Sequence, residues 1–367
     1  MTRSRSRDRR RRAPAAITLA LLAGAALSCA EGDDPPITWE GEHIVFGGDA
    51  DAQACAGTLA HEDALVARLA ELLEVEAPRG SIEYYWLGPE SYEDGGCPLS
   101  SWGCYSRGVI RTRFIPHEHE LVHAVLDLRG EAVHPFFDEG LAELFGADYP
   151  NYFSPQPRHG AAAGLAYRGP RALFPANLYG RAGHFVRFLV DTRGLPTTLE
   201  LVSAIGTTSD PDDMDERVRG ALGLSLEALL AEYKEYPECS STAYRWPVLE
   251  CDAAPTPWVD ASRWQSYVTL GCERDDVIGP RGGRMWTLRT LEIPADGSYT
   301  LEAFGEDGGQ SIAQLHPCGG GCNAVGHVDL HAGQQVTRTL DRGTYYVALS
   351  REVDAPGGAG LELRVAD

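Results

Sequence analysis

The spacing of apolar residues changes at two places along this chain, and each change marks a boundary. Residues 15–27 are an almost unbroken apolar run. From Thr58 to Glu74 the apolar positions Leu65, Val66, Leu69, Leu72 and Leu73 fall at helical spacing, and Pro78 and Gly80 close the segment. Ile44-Val45-Phe46 and Ser81–Leu87 read as strands, rich in β-branched and aromatic residues. Val109–Ile115 alternates, with Ile110, Thr112 and Phe114 on one side, and leads to Pro116. A proline there suits the first turn of a helix, which the pattern carries to about Leu128. Further helices are predicted over Asp138–Phe145, Leu178–Asp191, Pro196–Ile205, Asp212–Leu222 and Leu226–Tyr236. Phe185, Phe188 and Leu189 form the buried stripe of the second of these. Ser225 reads as the N-cap of the last, with Glu227 in its first turn.

Beyond Pro237 the period drops to two. Cysteine, proline and tryptophan punctuate a linker over residues 237–257. Strand patterns then recur at Tyr267–Leu270, Trp286–Leu288, Tyr299–Ala303, Val336–Leu340, Tyr345–Leu349 and Leu361–Val365. Asp296-Gly297 and Arg342-Gly343 mark turns between them. The expectation is an α+β domain over residues 43–236 and an antiparallel β-sandwich over 258–367.

The first 28 residues are set apart by charge. Seven arginines lie between Arg3 and Arg12, the apolar run follows, and small residues end it, as in a signal peptide. Ala26-Leu27-Ser28-Cys29 resembles a bacterial lipobox, which implies lipidation of Cys29 and a membrane anchor; simple secretion is the alternative. Residues 29–42, acidic with two prolines, read as an exposed tether. The formal charge of −21 includes the basic leader, so the remainder is more acidic still. Such a surface argues against nucleic acid and anionic lipid as partners. Of nine cysteines, eight remain once Cys29 is set aside, and an even number in an exported chain reads as disulfides. Local pairs are expected, Cys97 with Cys104 and Cys318 with Cys322. The sequence leaves the partners of Cys55, Cys239, Cys251 and Cys272 open.

Candidate chemistry is concentrated in His119-Glu120-Leu121-Val122-His123, followed by Phe137-Asp138-Glu139-Gly140-Leu141-Ala142-Glu143. Two histidines four residues apart project from one face of a helix, where both imidazoles can meet one metal ion. A carboxylate on the second helix completes three protein ligands, and the fourth position is left to water, as in a catalytic zinc site. Glu139 is the first candidate; Glu143, Asp138 and His134 are its rivals. Glu143 and Asp138 also suit a supporting role, orienting a ligating histidine. Glu120, beside the histidines, is placed to take a proton from the water and pass it to a leaving amine.

Together these two stretches resemble the gluzincin metallopeptidases, in particular the peptidase-MA-like group and the M1 aminopeptidases. In that resemblance the glutamate before the glycine, Glu139, ligates zinc, and Asp138 replaces a common asparagine. It implies a zincin-like catalytic domain over residues 43–236, a Zn²⁺ cofactor and a peptide or protein substrate. Tyr179-Gly180-Arg181-Ala182-Gly183-His184-Phe185 resembles the later helix that carries an oxyanion-stabilising tyrosine, which implies that role for Tyr179. A G-x-M-E-N-like exopeptidase sequence is missing, so an endopeptidase is expected rather than an aminopeptidase. The C-terminal strands resemble the prepeptidase C-terminal domains of secreted bacterial proteases. Two other classes stay open: a non-enzymatic surface-binding protein with an inactive protease-like fold, and a protein with a structural zinc.

Overall fold

The computed structural model describes residues 34–49, 53–80, 82–98, 100–146, 160–207, 209–306, 310–322 and 326–366. The predicted leader and Cys29 lie outside them. The chain begins with β1 (Ile37–Glu40) and β2 (Ile44–Gly48), an antiparallel pair. Helix α1 (Thr58–Leu72) leads to β3 (Ile82–Trp86), parallel to β2. After the short α2 (Pro89–Asp94), β4 (Gly103–Ser106) and β5 (Val109–Thr112) form a hairpin, and β5 lies parallel to β3. The sheet order is β1-β2-β3-β5-β4. Two expectations change here. Residues 29–42 are not all tether, because Ile37 and Trp39 alternate into β1 and Trp39 packs on the core. The strand before the site helix stops at Thr112, whose hydroxyl bonds the backbone of Phe114 as the chain turns.

The helix of the histidines, α3 (Glu118–Asp127), is buried at every position from Glu118 to Leu126. It starts two residues after Pro116, with His117 at its N-cap. There follow α4 (Pro135–Gly146), α5 (Ala161–Leu165), α6 (Tyr179–Arg193), α7 (Leu195–Ala204), α8 (Pro211–Leu222), α9 (Leu226–Glu235) and α10 (Ser241–Tyr244). Ser225 caps α9 by accepting from Ala228 N, and Asp210 closes a capping box on α8. One core joins the sheet to the helices: Tyr84 and Ile110 from strands, Leu69 from α1, Val122 from α3, Leu141 from α4 and Phe185 from α6.

The second half is all strand: β6 (Arg263–Leu270), β7 (Ile278–Arg281), β8 (Arg284–Ile293), β9 (Gly297–Gly305), β10 (Ile312–Pro317), β11 (Val328–His331), β12 (Gln335–Leu340), β13 (Gly343–Glu352) and β14 (Gly357–Val365). They form two antiparallel sheets, β11-β10-β13-β8-β7 and β12-β9-β14-β6, over a core that includes Trp264, Leu291, Leu301, Val347 and Leu361. The chain is thus α+β, mixed helices and sheets followed by sandwich-like sheets.

Cys97 pairs with Cys104. Cys318 and Cys322 do not pair with each other. Cys318 bonds Cys251 and Cys322 bonds Cys239, because the glycine-rich turn after β10 lies against the linker, where Gly321 N donates to Ala243 O. Cys55 pairs with Cys272. Three of these four bridges therefore tie the sandwich to the residues before it. Four disulfides suit an oxidising compartment outside the cytoplasm. Among the described residues no helix is long and apolar enough to cross a membrane.

Candidate metal centre

Helices α3 and α4 supply the centre. His119 and His123 stand one turn apart on α3, with their Nε2 atoms 3.2 Å from each other. Glu139 reaches in from α4, its Oε2 3.2 Å from His119 Nε2 and 3.4 Å from His123 Nε2. All three residues are buried, and their ligand atoms lie within 4.8 Å of one another. Burial opposes a charge on Glu139, but His123 and His119 outweigh it and hold its carboxyl far below the usual range. Burial likewise opposes a proton on His119, while its contacts with Glu139 and Glu143 raise the imidazole well above its ordinary value. Two imidazoles and one anion focused on a single point form a donor set suited to a divalent cation.

The outward nitrogens are also held. His123 Nδ1 lies 3.0 Å from Asp138 Oδ1, and Arg171 Nε lies 3.4 Å from the other oxygen of Asp138. His119 Nδ1 lies 3.4 Å from Glu143 Oε1, and Tyr244 donates its hydroxyl to Glu143 Oε2 at 2.9 Å. Asp138 and Glu143 thus hold the outward nitrogens of the histidines, while Glu139 faces the inward pair. His134 is elsewhere: its Nδ1 accepts from Phe136 N at the start of α4, and its Nε2 lies 3.0 Å from Tyr167 O. Sequence reasoning missed Arg171 and Tyr244. No local pattern marks either, and Tyr244 is 101 residues from its partner.

Glu120 lies between the histidines on α3 and is 8% exposed. Its carboxylate stands close enough to His119 and Arg171 to act on both electrostatically. It packs under β4, the edge strand. A Cβ on Gly103 would lie 2.8 Å from Glu120 Cγ and 2.1 Å from His117 Cε1, so the strand approaches this closely only with glycine there. Tyr179, at the first turn of α6, stacks on His119 with ring centroids 5.8 Å apart. Burial, then the charges of Glu139, Glu120 and Glu143, push its phenol far above the ordinary value, so it keeps its proton. Gly140, next to Glu139, sets how near α6 can come: a Cβ there would meet Val186 Cγ2 at 2.6 Å and the Ala182 carbonyl at 2.9 Å. A cavity of about 420 Å³ opens beside His123, lined in part by Asp127, Glu131, Asp138 and Arg171.

A second cluster, His184 with Cys239 and Cys322, has ligand-like spacing. Its cysteines are joined in a disulfide, and the His184 nitrogens lie against Tyr233 Oη and the Pro237 carbonyl. It is structural.

No protein-family model matches the chain, and no curated protein matches it. Among solved structures it is similar to the pre-peptidase C-terminal domain of a collagenase from Bacillus anthracis, at 12% identity and TM-score 0.21, over 27% of this chain and 87% of that one. It is also similar to PliG of Aeromonas hydrophila, a periplasmic inhibitor of g-type lysozyme, at 14% identity and TM-score 0.22, over 31% and 95%. A carbohydrate-binding module of Cellvibrio mixtus lichenase 5A aligns at 16% identity and TM-score 0.18, over 28% and 88%. Likenesses this weak say nothing about activity.

Proposed function

We propose that this chain is an exported zinc metallopeptidase of the gluzincin type, with a zincin-like catalytic domain, anchored through a lipid on Cys29. The carrying observation is the convergence of the ligand atoms of His119, His123 and Glu139, with Glu120 beside them on the same helix as the histidines. A binding scaffold has no need of a carboxylate placed between two metal-binding histidines, whereas hydrolysis by a metal-activated water does.

The donor set fits zinc, with two imidazole nitrogens and one carboxylate. When bound, zinc supplies Lewis acidity, making a water acidic near neutral pH and polarising a peptide carbonyl. The remaining work belongs to the chain. Asp138 and Glu143 fix the tautomers that turn both Nε2 atoms inward. Glu120 accepts the proton of the attacking water and returns it to the departing amine. Tyr179, held protonated, donates a hydrogen bond to the oxyanion that develops on the substrate carbonyl. β4 is the edge strand of its sheet and lies next to Glu120, and docking of an extended peptide along such an edge suits an endopeptidase.

The test is Glu120→Gln. The variant is expected to retain one zinc per chain by elemental analysis and to lose about 10²–10⁴-fold in turnover of a protein substrate, the span of general acid–base catalysis. Unchanged turnover, or a wild-type chain that takes up no zinc, refutes the reading.

A further inference from the structure

Glu118 stands immediately before His119 and is 3% exposed. Groups from three other parts of the chain meet its carboxylate. His61 of α1 lies 3.2 Å away, Arg245 of the linker 2.5 Å away, and Arg281 at the end of β7 3.4 Å away. Arg245 is paired in turn with Glu250 and bonds the hydroxyl of Tyr346 on β13. The Arg281 guanidinium lies 4.9 Å over the ring of Trp286 on β8. Two buried carboxylates and two guanidiniums thus form one connected set of charges, with members from α3, the linker and the sandwich.

The same edge of the sandwich is fastened beside α1. Cys55 N donates to Gly279 O and Gly57 N to Val277 O, while Thr58 Oγ1 donates to Gly279 O at 2.7 Å. The Cys55–Cys272 disulfide closes the same junction. A sandwich that swung on a flexible linker would have to break this seam and strand the Glu118 charge in the interior, a costly state.

We infer that the C-terminal sandwich is part of the catalytic body and that Arg281 is a positioning residue, which through Glu118 fixes the first turn of the helix that carries His119 and Glu120. This rests on the metallopeptidase reading. Proton transfer and ligand geometry tolerate only a fraction of an ångström, so a small shift of that turn reaches the chemistry without disturbing substrate contacts.

The experiment uses the full chain loaded with cobalt(II), with fluorescein-labelled casein as substrate. Arg281→Ala is expected to lower kcat about 10- to 100-fold, to leave KM within about twofold, and to alter the visible absorption of the bound cobalt. Arg281→Lys should recover most of both. Arg274→Ala, an exposed arginine of the sandwich paired with Asp276, should change neither. A folded Arg281→Ala with the wild-type spectrum and kcat overturns the inference. If Arg281→Ala does not fold, Glu118→Gln, which keeps the shape of the side chain, is read by the same two measures. The two failures differ: if wild-type protein binds no cobalt, the metallopeptidase reading falls, whereas unaltered cobalt spectra and rates across the variants remove only the role of Arg281.

Discussion

A histidine that binds metal through Nε2 needs its Nδ1 proton held, and here a different carboxylate stands by each ring. Asp138 is the more informative of the two, because Arg171 fixes it from the other side. Asp138→Asn keeps the shape and removes the charge. It should weaken zinc binding about 10- to 100-fold, measured by competition with a chromophoric chelator. Equal affinity would leave Asp138 as packing alone. His119, Glu120 and His123 were legible in the sequence because four-residue spacing maps directly onto a helix face. Glu139, Asp138 and Glu143 were legible as a set of acids, but only the fold places Glu139 against the inward histidine nitrogens and the others against the outward ones. Arg171, Tyr244 and Arg281 carry no local mark. Each acts by meeting a residue distant in sequence, which periodicity does not report.

Among elements, the close contact of α4 with α6 decides whether Glu139 and Tyr179 come together. Gly140 leaves room for α6, so Gly140→Ala pushes a methyl against a carbonyl that has little freedom to yield. Overpacking of this kind costs typically about 1–3 kcal/mol. A lower thermal midpoint and weaker zinc retention are expected together, and a variant as stable as wild type would contradict the packing. The long helices were readable from their apolar stripes. The strands β7, β10 and β11 were not. β7 is four residues with Gly279 and Pro280 inside it, a composition that argues against a strand except at an edge, where it lies. β1 was hidden because a four-residue strand beside prolines gives too short an alternation to stand out.

At the scale of the molecule, spacing misled the disulfide reading. Cys318 and Cys322 are near in sequence, yet each finds its partner in the linker, 67 and 83 residues away. The fold brings a turn of the sandwich to that linker, and closeness in space outweighs closeness in sequence. The boundary near residue 257 was visible as a change of period, but it does not separate two independent bodies.

Those bridges also bear on how the protein withstands proteases. Cys55, Cys239 and Cys251 all precede Asp252, and their partners Cys272, Cys322 and Cys318 all follow Pro257. A single cut between residues 252 and 257 would therefore release nothing. The product would be a two-chain molecule held by three covalent links, with the His119, His123 and Glu139 cluster and the sandwich still together. On a gel such nicked protein should run as one band without reductant and as two with it. The proposed peptidase activity should survive the nick, and a nick that abolished it would mean that the peptide bond itself, not the crosslinks, keeps the two parts in register.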